Sequence, residues 1–484
     1  MLIALLLIMT ASCESNLGSL EVYIKRSPLD TENPLHISRV THIRIRVTGD
    51  GMNPVEEVYP FEPGGTSTVP EVPIGKDRVI TVEGLAGEDG SAVSRGRSLP
   101  MEISSGHHKI ELFMAGVDVF SFTPGYGFAQ ARFGHTTVLS EKGELFLVGG
   151  AAAGTTQNPQ SMLSSIEVYD PTSGSTTYLT CSEKSGDRCL GEPRTHAAGV
   201  AVDEGIVLLG GIGPKGLLST VELIDTDLLE VETLDNTGAK RSDAVVVRVE
   251  ESSLVAGGRG SDGLAVDTAE LVDSSGDIET LTLPQPRFAM TAAASAGNVV
   301  FFGGLDSSGD IADGFFLFKS STKTFSFHET SVPGRAWASA VPLADGRVVI
   351  VGGLGRDGEA STSIDLFEPS LSQICHLGNL TRGRWLASVV RLKDGRLLVI
   401  GGLIGTDPGE PTAEVEALDP LNMRIGVSCD DVEGPSVDNN VSRTSIRRYA
   451  SSAILLPNGV VAVTGGLDKD NAPINQIEVF VPAE

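Results

Sequence analysis

Short runs of alternating apolar and polar residues recur along most of the chain. Between residues 336 and 377, for example, the runs AWASAVPL, RVVIVGG, SIDLFEP and LSQICHL follow one another. Alternation with a period of two is typical of half-buried strands, and no segment has a convincing helical period of 3.6. The pattern therefore predicts an all-β protein built from four-strand units.

Two adjacent glycines end the second strand of each unit, and this pair occurs seven times at intervals of 46 to 64 residues. Glycine suits this place because a tight turn needs backbone freedom and close packing of neighbours. A period of this length indicates a repeat architecture. The pairs are Gly149-Gly150, Gly210-Gly211, Gly257-Gly258, Gly303-Gly304, Gly352-Gly353, Gly401-Gly402 and Gly465-Gly466.

An arginine precedes the first glycine of every pair by 16 or 17 residues: Arg132, Arg194, Arg241, Arg287, Arg335, Arg384 and Arg448. The third strands carry an acidic residue, except in the fourth unit, where we assign the position to Phe315. A cation repeated in every unit suits a structural ion pair, and we expect it to bind the third-strand acid of a neighbouring unit. The alternative is a ring of arginines that lines a binding face.

The chain resembles kelch repeats in R-x-x-H at Arg132 to His135, in the glycine pairs and in SIEVYDP at 165–171. The resemblance covers residues 117–484 and implies a seven-bladed kelch-type β-propeller of the galactose-oxidase-like central domain superfamily. The tryptophan that usually marks the fourth kelch strand is missing from every repeat. The last unit ends after its third strand, so we expect residues 117–124 to complete the last blade and close the ring.

Residues 20–116 contain further alternating runs, such as THIRIRVTG and HKIELFMAG. Six or seven strands over this length predict a small immunoglobulin-like β-sandwich. We expect it to act as a spacer, with a carbohydrate-binding module as the alternative.

The first 12 residues predict a signal peptide, because nine apolar residues are too few to span a bilayer. The sequence TASC ending at Cys13 resembles a bacterial lipobox, which implies that Cys13 is lipidated and anchors an exported lipoprotein. Glu14 favours the outer membrane. Thr10 stands where leucine is usual and no basic residue precedes the apolar run, so an ordinary signal peptide is the alternative.

Four further cysteines are predicted to form disulfides, because an even count is typical of exported proteins. Cys181 and Cys189 flank a polar loop, and Cys375 and Cys429 then pair by elimination. Free buried thiols are the alternative for the second pair.

Acidic residues outnumber basic ones by 63 to 36, which gives a net charge of −27. This balance argues against a nucleic-acid partner, because phosphate binding needs a basic face. We expect no metal and no cofactor, and interpret His135 and His196 as structural.

In a propeller, the loop that enters the first strand and the loop after the second strand open on one face. Four long insertions, at 151–163, 182–193, 404–412 and 430–446, are expected there, and loops on a rigid scaffold often bind ligands. The candidate binding residues on this face are Arg132, Phe133, Phe288, Arg335, Trp337, Arg384, Trp385, Arg448 and Tyr449.

These features favour a monomeric, membrane-anchored protein that binds a protein or glycan of the cell envelope without catalysis. The first alternative is a carbohydrate-active enzyme, such as a sugar mutarotase or oxidase, and the second is a purely structural envelope component.

Overall fold

The structure of the protein is a computed structural model that describes residues 3–4, 17–36, 38–62, 71–181, 188–237, 239–426 and 428–483. These residues are all-β, with two 3-10 helices, Asp30–Glu32 and Ser320–Thr322, and no α-helix. None of their helices is long and apolar enough to cross a membrane. Cys13 and the predicted signal peptide, apart from residues 3–4, lie outside the described residues.

Ten strands precede the repeats and form two sheets. They are β1 (Ile3–Ala4), β2 (Leu17–Lys25), β3 (His42–Thr48), β4 (Val55–Pro60), β5 (Val72–Pro73), β6 (Gly75–Leu85), β7 (Ala92–Arg97), β8 (Met101–Ile103), β9 (Gly106–Phe113) and β10 (Ala115–Gly116). In the first sheet β2 pairs with β1, β5 and β9, and the second has the order β10-β7-β6-β3-β4, with β8 beside β6. Val22 of the first sheet and Ile45 and Val82 of the second belong to one buried apolar core.

Seven four-stranded antiparallel sheets follow, one for each glycine pair. Sheet one consists of β12 (Thr136–Leu139), β13 (Leu145–Val148), β16 (Ile166–Asp170) and β17 (Ser175–Leu179), and sheet two of β18 (Ala198–Val202), β19 (Gly205–Leu209), β22 (Thr220–Asp225) and β23 (Glu230–Thr237). Sheet three consists of β24 (Val245–Val249), β25 (Ser252–Ala256), β26 (Thr268–Val272) and β27 (Ile278–Thr282). Sheet four consists of β28 (Thr291–Ser295), β29 (Asn298–Phe302), β30 (Phe315–Lys319) and β31 (Thr324–His328).

Sheet five consists of β32 (Ser339–Pro342), β33 (Val348–Val351), β34 (Ser363–Glu368) and β35 (Gln373–Asn379). Sheet six consists of β36 (Ser388–Arg391), β37 (Leu397–Ile400), β40 (Val415–Asp419) and β43 (Ser436–Asp438). Sheet seven consists of β44 (Ser452–Leu455), β45 (Val461–Thr464), β46 (Ile474–Phe480) and β11 (Phe120–Arg132). Small hairpins are formed by β14 (Ala151–Gly154) with β15 (Pro159–Met162), β20 (Ile212–Gly213) with β21 (Gly216–Leu217), β38 (Leu403–Ile404) with β39 (Glu410–Pro411), and β41 (Arg424–Ile425) with β42 (Val432–Glu433).

Backbone hydrogen bonds join the seven sheets in a closed circuit. The second glycine of each pair donates its N–H to the carbonyl of the arginine that begins the next unit, as from Gly353 to Arg384 at 2.9 Å. The last bond returns to the first unit, from Gly466 to Arg132 at 3.1 Å. The other five run from Gly150 to Arg194, Gly211 to Arg241, Gly258 to Arg287, Gly304 to Arg335 and Gly402 to Arg448.

This close approach explains why both members of the pair are glycine. Gly352 and Gly353 have φ values of 64° and 104°, which disfavour any residue with a Cβ. A Cβ on Gly352 would also lie 2.3 Å from the carbonyl oxygen of Arg384.

The circuit closes within sheet seven, which takes its fourth strand from before the first unit. Phe120 of β11 pairs opposite Phe480 of β46. The strand begins three residues later than the range 117–124 suggests, and Val117 instead forms a bridge with Val481.

The two N-terminal sheets pack on one end of this circuit. Leu99 N donates to Thr172 Oγ1 at 2.9 Å, and Asn458 Nδ2 donates to Arg97 O at 3.1 Å. Thr172 and Asn458 lie in the turns β16–β17 and β44–β45, at the strand ends away from the glycine pairs. The N-terminal sheets and the glycine pairs are therefore at opposite ends of the circuit.

Disulfides join Cys181 to Cys189 and Cys375 to Cys429, with Cα atoms 5.3 and 5.2 Å apart. The second bond ties β35 of sheet five to the segment between β41 and β42. Part of the insertion at 430–446 departs from the expected mouth loop. It supplies β43, whose Asp438 pairs opposite Ala417, so that these residues complete sheet six.

Candidate functional site

The repeat arginines are buried, and six of the seven form an ion pair. The carboxylate belongs to the third strand of the repeat unit that the arginine begins, so the expected pairing with a neighbouring unit is wrong. The pairs are Arg132–Glu167, Arg194–Glu222, Arg241–Glu270, Arg335–Asp365, Arg384–Glu416 and Arg448–Glu478. Each arginine also donates to the carbonyl of the first glycine of its own pair, as from Arg384 Nη1 to Gly401 O at 3.2 Å. This contact accounts for the constant spacing between arginine and glycine.

Four of these arginines were expected on the binding face, and burial removes them from it. Arg132, Arg335, Arg384 and Arg448 are 0 %, 4 %, 1 % and 0 % exposed. A buried guanidinium requires a counterion and hydrogen-bond acceptors, and the repeat unit provides both. Burial lowers the pKa of Arg448, and the nearby carboxylate of its own sheet opposes that shift.

Sheet four satisfies its arginine in another way. Phe316, rather than Phe315, occupies the acid position, because Phe316 pairs opposite Phe301 as Glu167 pairs opposite Leu147. The Arg287 guanidinium lies 4.4 Å from the centre of the Phe316 ring. Burial lowers the pKa of Arg287 to about 10, and a cation–π contact replaces the ion pair.

A cavity of about 320 Å³ opens at the glycine-pair end of the circuit. Each sheet contributes one rim residue, two positions after its arginine, and all seven have φ between 49° and 57°. Backbone bonds link neighbouring rim positions, as from Trp337 N to Ala289 O at 3.0 Å. The rim residues are Gly134, His196, Asp243, Ala289, Trp337, Leu386 and Ala450.

One side of the cavity is aromatic. Trp337 and Trp385, the only tryptophans of the chain, have ring centres 5.5 Å apart, and Phe288 also lines the wall. Of the candidate aromatics, these three reach the cavity. Phe133 and Tyr449 do not line it and lie in a buried apolar cluster that also includes Trp385.

Charged and polar side chains also line the cavity. His196 Nε2 lies 3.9 Å from Asp243 Oδ1, and the Arg259 guanidinium stacks 4.5 Å from the centre of the Phe288 ring. Asp243 and Arg259 were not predicted from the sequence, although the position of Arg259 is unusual. It directly follows a glycine pair, where the other units have Ala151, Ile212, Leu305, Leu354, Leu403 and Leu467.

The two histidines that were interpreted alike differ in position. His135 follows its arginine by three residues and is half-buried, and desolvation lowers its pKa to about 3. His196 follows by two, reaches the rim and packs edge-on against the Phe133 ring. Within the described ranges, no group of three His, Cys, Asp or Glu side chains is placed to hold a metal ion.

Neither a protein-family model nor a curated protein matches the sequence. Among solved structures, the chain is similar to one described as "Structure of YjhT", at 14 % identity and a TM-score of 0.46. The match covers 65 % of this chain and 99 % of that one. The fold assignment below therefore rests on the strand pairing of this chain.

Proposed function

We propose that residues 117–484 form a seven-bladed kelch-type β-propeller and residues 20–116 a small β-sandwich. The closed circuit of glycine-to-arginine hydrogen bonds supports the propeller. The apolar core shared by the two N-terminal sheets supports the sandwich.

The proposed function is non-catalytic binding of a protein or glycan at the central cavity. The observation that carries it is the wall formed by Trp337, Trp385 and Phe288 at the loop-rich end of the circuit. Large aromatic surfaces beside a few polar groups are typical of ligand sites and interface hot spots.

The cellular setting is a proposal from the sequence pattern. Export and lipid anchoring through Cys13 would attach the chain beside the N-terminal sheets. Because those sheets pack on the far end of the circuit, the cavity would then face away from the membrane.

The test is a comparison of capture by the wild-type chain and by a Trp337→Ala, Trp385→Ala double variant. Both are used to capture partners from envelope extract and are applied to a glycan array. A Tyr178→Ala, Phe327→Ala variant is the matched control, because these exposed aromatics lie on the outer strands of sheets one and four.

We expect a partner or glycan that the wild type and the control variant bind and that the folded tryptophan variant does not bind. Equal capture by all three proteins would place binding elsewhere and overturn the proposed site.

A sugar mutarotase is the second candidate, and the His196–Asp243 pair in the cavity favours it. Anomer interconversion needs an acid and a base beside a bound sugar. The measurement is the rate of interconversion of a panel of free sugars by NMR, with the wild type and with His196→Gln. If the wild type accelerates the interconversion of a sugar and His196→Gln does not, the mutarotase proposal is supported. If every sugar interconverts at its uncatalysed rate, the mutarotase proposal is rejected.

A further inference from the structure

Like Arg287, Arg259 has no ion-pair partner among the described residues and stacks on a phenylalanine ring, but unlike Arg287 it lines the cavity. Its equivalents in the other six units are apolar, and four of them, Ala151, Leu354, Leu403 and Leu467, belong to one buried apolar cluster. A charged residue at a position that packing satisfies with leucine needs another explanation, since desolvating a charge is costly.

The surroundings hold this guanidinium in the cavity wall. Arg259 bridges Ser242 on one side and Ala265 on the other, which holds its backbone, and its guanidinium group rests against the Phe288 ring at 4.5 Å. The acid on the same side, Asp243, accepts a bond from Ser242 Oγ at 2.8 Å and faces His196. The planar fork of an arginine positioned in this way matches a carboxylate.

The tryptophan part of the cavity wall is suited to an apolar or ring-shaped group. Trp337 and Trp385 form a tilted aromatic pair at 46°, and the volume of about 320 Å³ lies within the range of small-molecule sites. The net charge of −27 repels anions at long range, so an anion would have to be held by local contacts.

From this arrangement we infer that the cavity binds an organic carboxylate. Arg259 pairs with the carboxylate, and the body of the ligand lies against the two tryptophans. The inference rests on the proposed binding role of the cavity and names the class of its ligand. The carboxylate belongs to an aromatic acid or to a sugar acid, and the experiment separates these sources.

Intrinsic fluorescence reads occupancy directly, because both tryptophans of the chain line the cavity. The full chain is titrated with benzoate and with glucuronate, and with their uncharged counterparts benzamide and glucose. We expect a saturable change with at least one acid, and binding of its uncharged counterpart at least about tenfold weaker, since a charge-assisted bond is lost.

The decisive variant is Arg259→Leu, which installs the residue that most other units carry. It is expected to weaken binding of the acid by about tenfold or more. Arg248→Leu is the matched control, because it removes the same charge from an exposed site of sheet three and should leave the affinity unchanged. If Arg259→Leu lowers the thermal midpoint, Arg259→Gln replaces it.

Three results would overturn the inference: no saturable change with either acid, equal affinity for an acid and its uncharged counterpart, or unchanged affinity in both Arg259 variants. If such a result is found but capture from envelope extract or on the glycan array still requires the two tryptophans, only the proposed ligand class is wrong. If capture does not require the tryptophans either, the proposed binding role of the cavity is also wrong.

Discussion

Neutralising one buried carboxylate, by Glu222→Gln, tests whether the repeat arginines stabilise the sheets as ion pairs. Glu222 is 1 % exposed, pairs with Arg194 and accepts the N–H of Gly191 at 2.9 Å. Glutamine keeps the length of the side chain and one acceptor oxygen, so the change removes the charge and leaves the shape.

The size of the effect follows from the acceptors that remain. Arg194 still donates to Gly210 O at 3.0 Å, to Thr220 O at 3.0 Å and to Thr220 Oγ1 at 2.8 Å. Removing one partner of a buried pair costs about 3–5 kcal/mol, mainly because the other charge stays buried. With these acceptors in place, we expect the lower end, a loss of about 3 kcal/mol in the free energy of unfolding.

The assay is urea unfolding followed by circular dichroism, with Asp227→Asn as the control. Asp227 lies 2.7 Å from Lys142, and both side chains are more than 60 % exposed, at 71 % and 62 %. Such a surface pair contributes less than about 1 kcal/mol. If both variants lose the same free energy of unfolding, with the slope of that free energy against urea concentration unchanged, the structural role assigned to the buried pairs is refuted.

Two further predictions concern the backbone and pH. Gly303→Ala should lower the thermal midpoint of unfolding far more than Gly309→Ala. Both glycines have positive φ, but only a Cβ at position 303 would meet a backbone atom, the carbonyl oxygen of Arg335 at 2.0 Å. Equal thermal midpoints for the two variants would contradict this. The hydrogen bond with Asp365 raises the pKa of His376, so its stabilisation is complete below about pH 6.5 and is lost as pH rises through the raised pKa. The thermal midpoint of His376→Asn should therefore differ less between about pH 5.5 and 8.5 than the midpoint of the wild type does. The same difference in both proteins would count against a stabilising His376–Asp365 hydrogen bond.

Much of the repeat unit is visible in the sequence because local backbone geometry demands it. Gly352 and Gly353 need positive φ, and Arg335 must reach the carbonyl of Gly352, so their spacing is constrained. Alternation within strands adds the period of two. These local requirements support the all-β prediction.

Contacts between distant residues explain what the sequence did not predict. Whether Arg384 is buried or faces the cavity depends on Glu416, 32 positions away. The assignment of Phe315 in place of Phe316 is a one-residue slip, which reverses the face of a strand. Asp243 reaches the rim through a left-handed backbone conformation that all seven rim positions share, whatever their residue type.

The most direct test of the proposed binding role is a crystal structure of the protein with a ligand retained in the capture or fluorescence experiments. We expect the ligand in the central cavity, against Trp337 and Trp385, with its acidic group at Arg259. A ligand bound to the outer strands or to the N-terminal sheets, with the cavity unchanged, would contradict it.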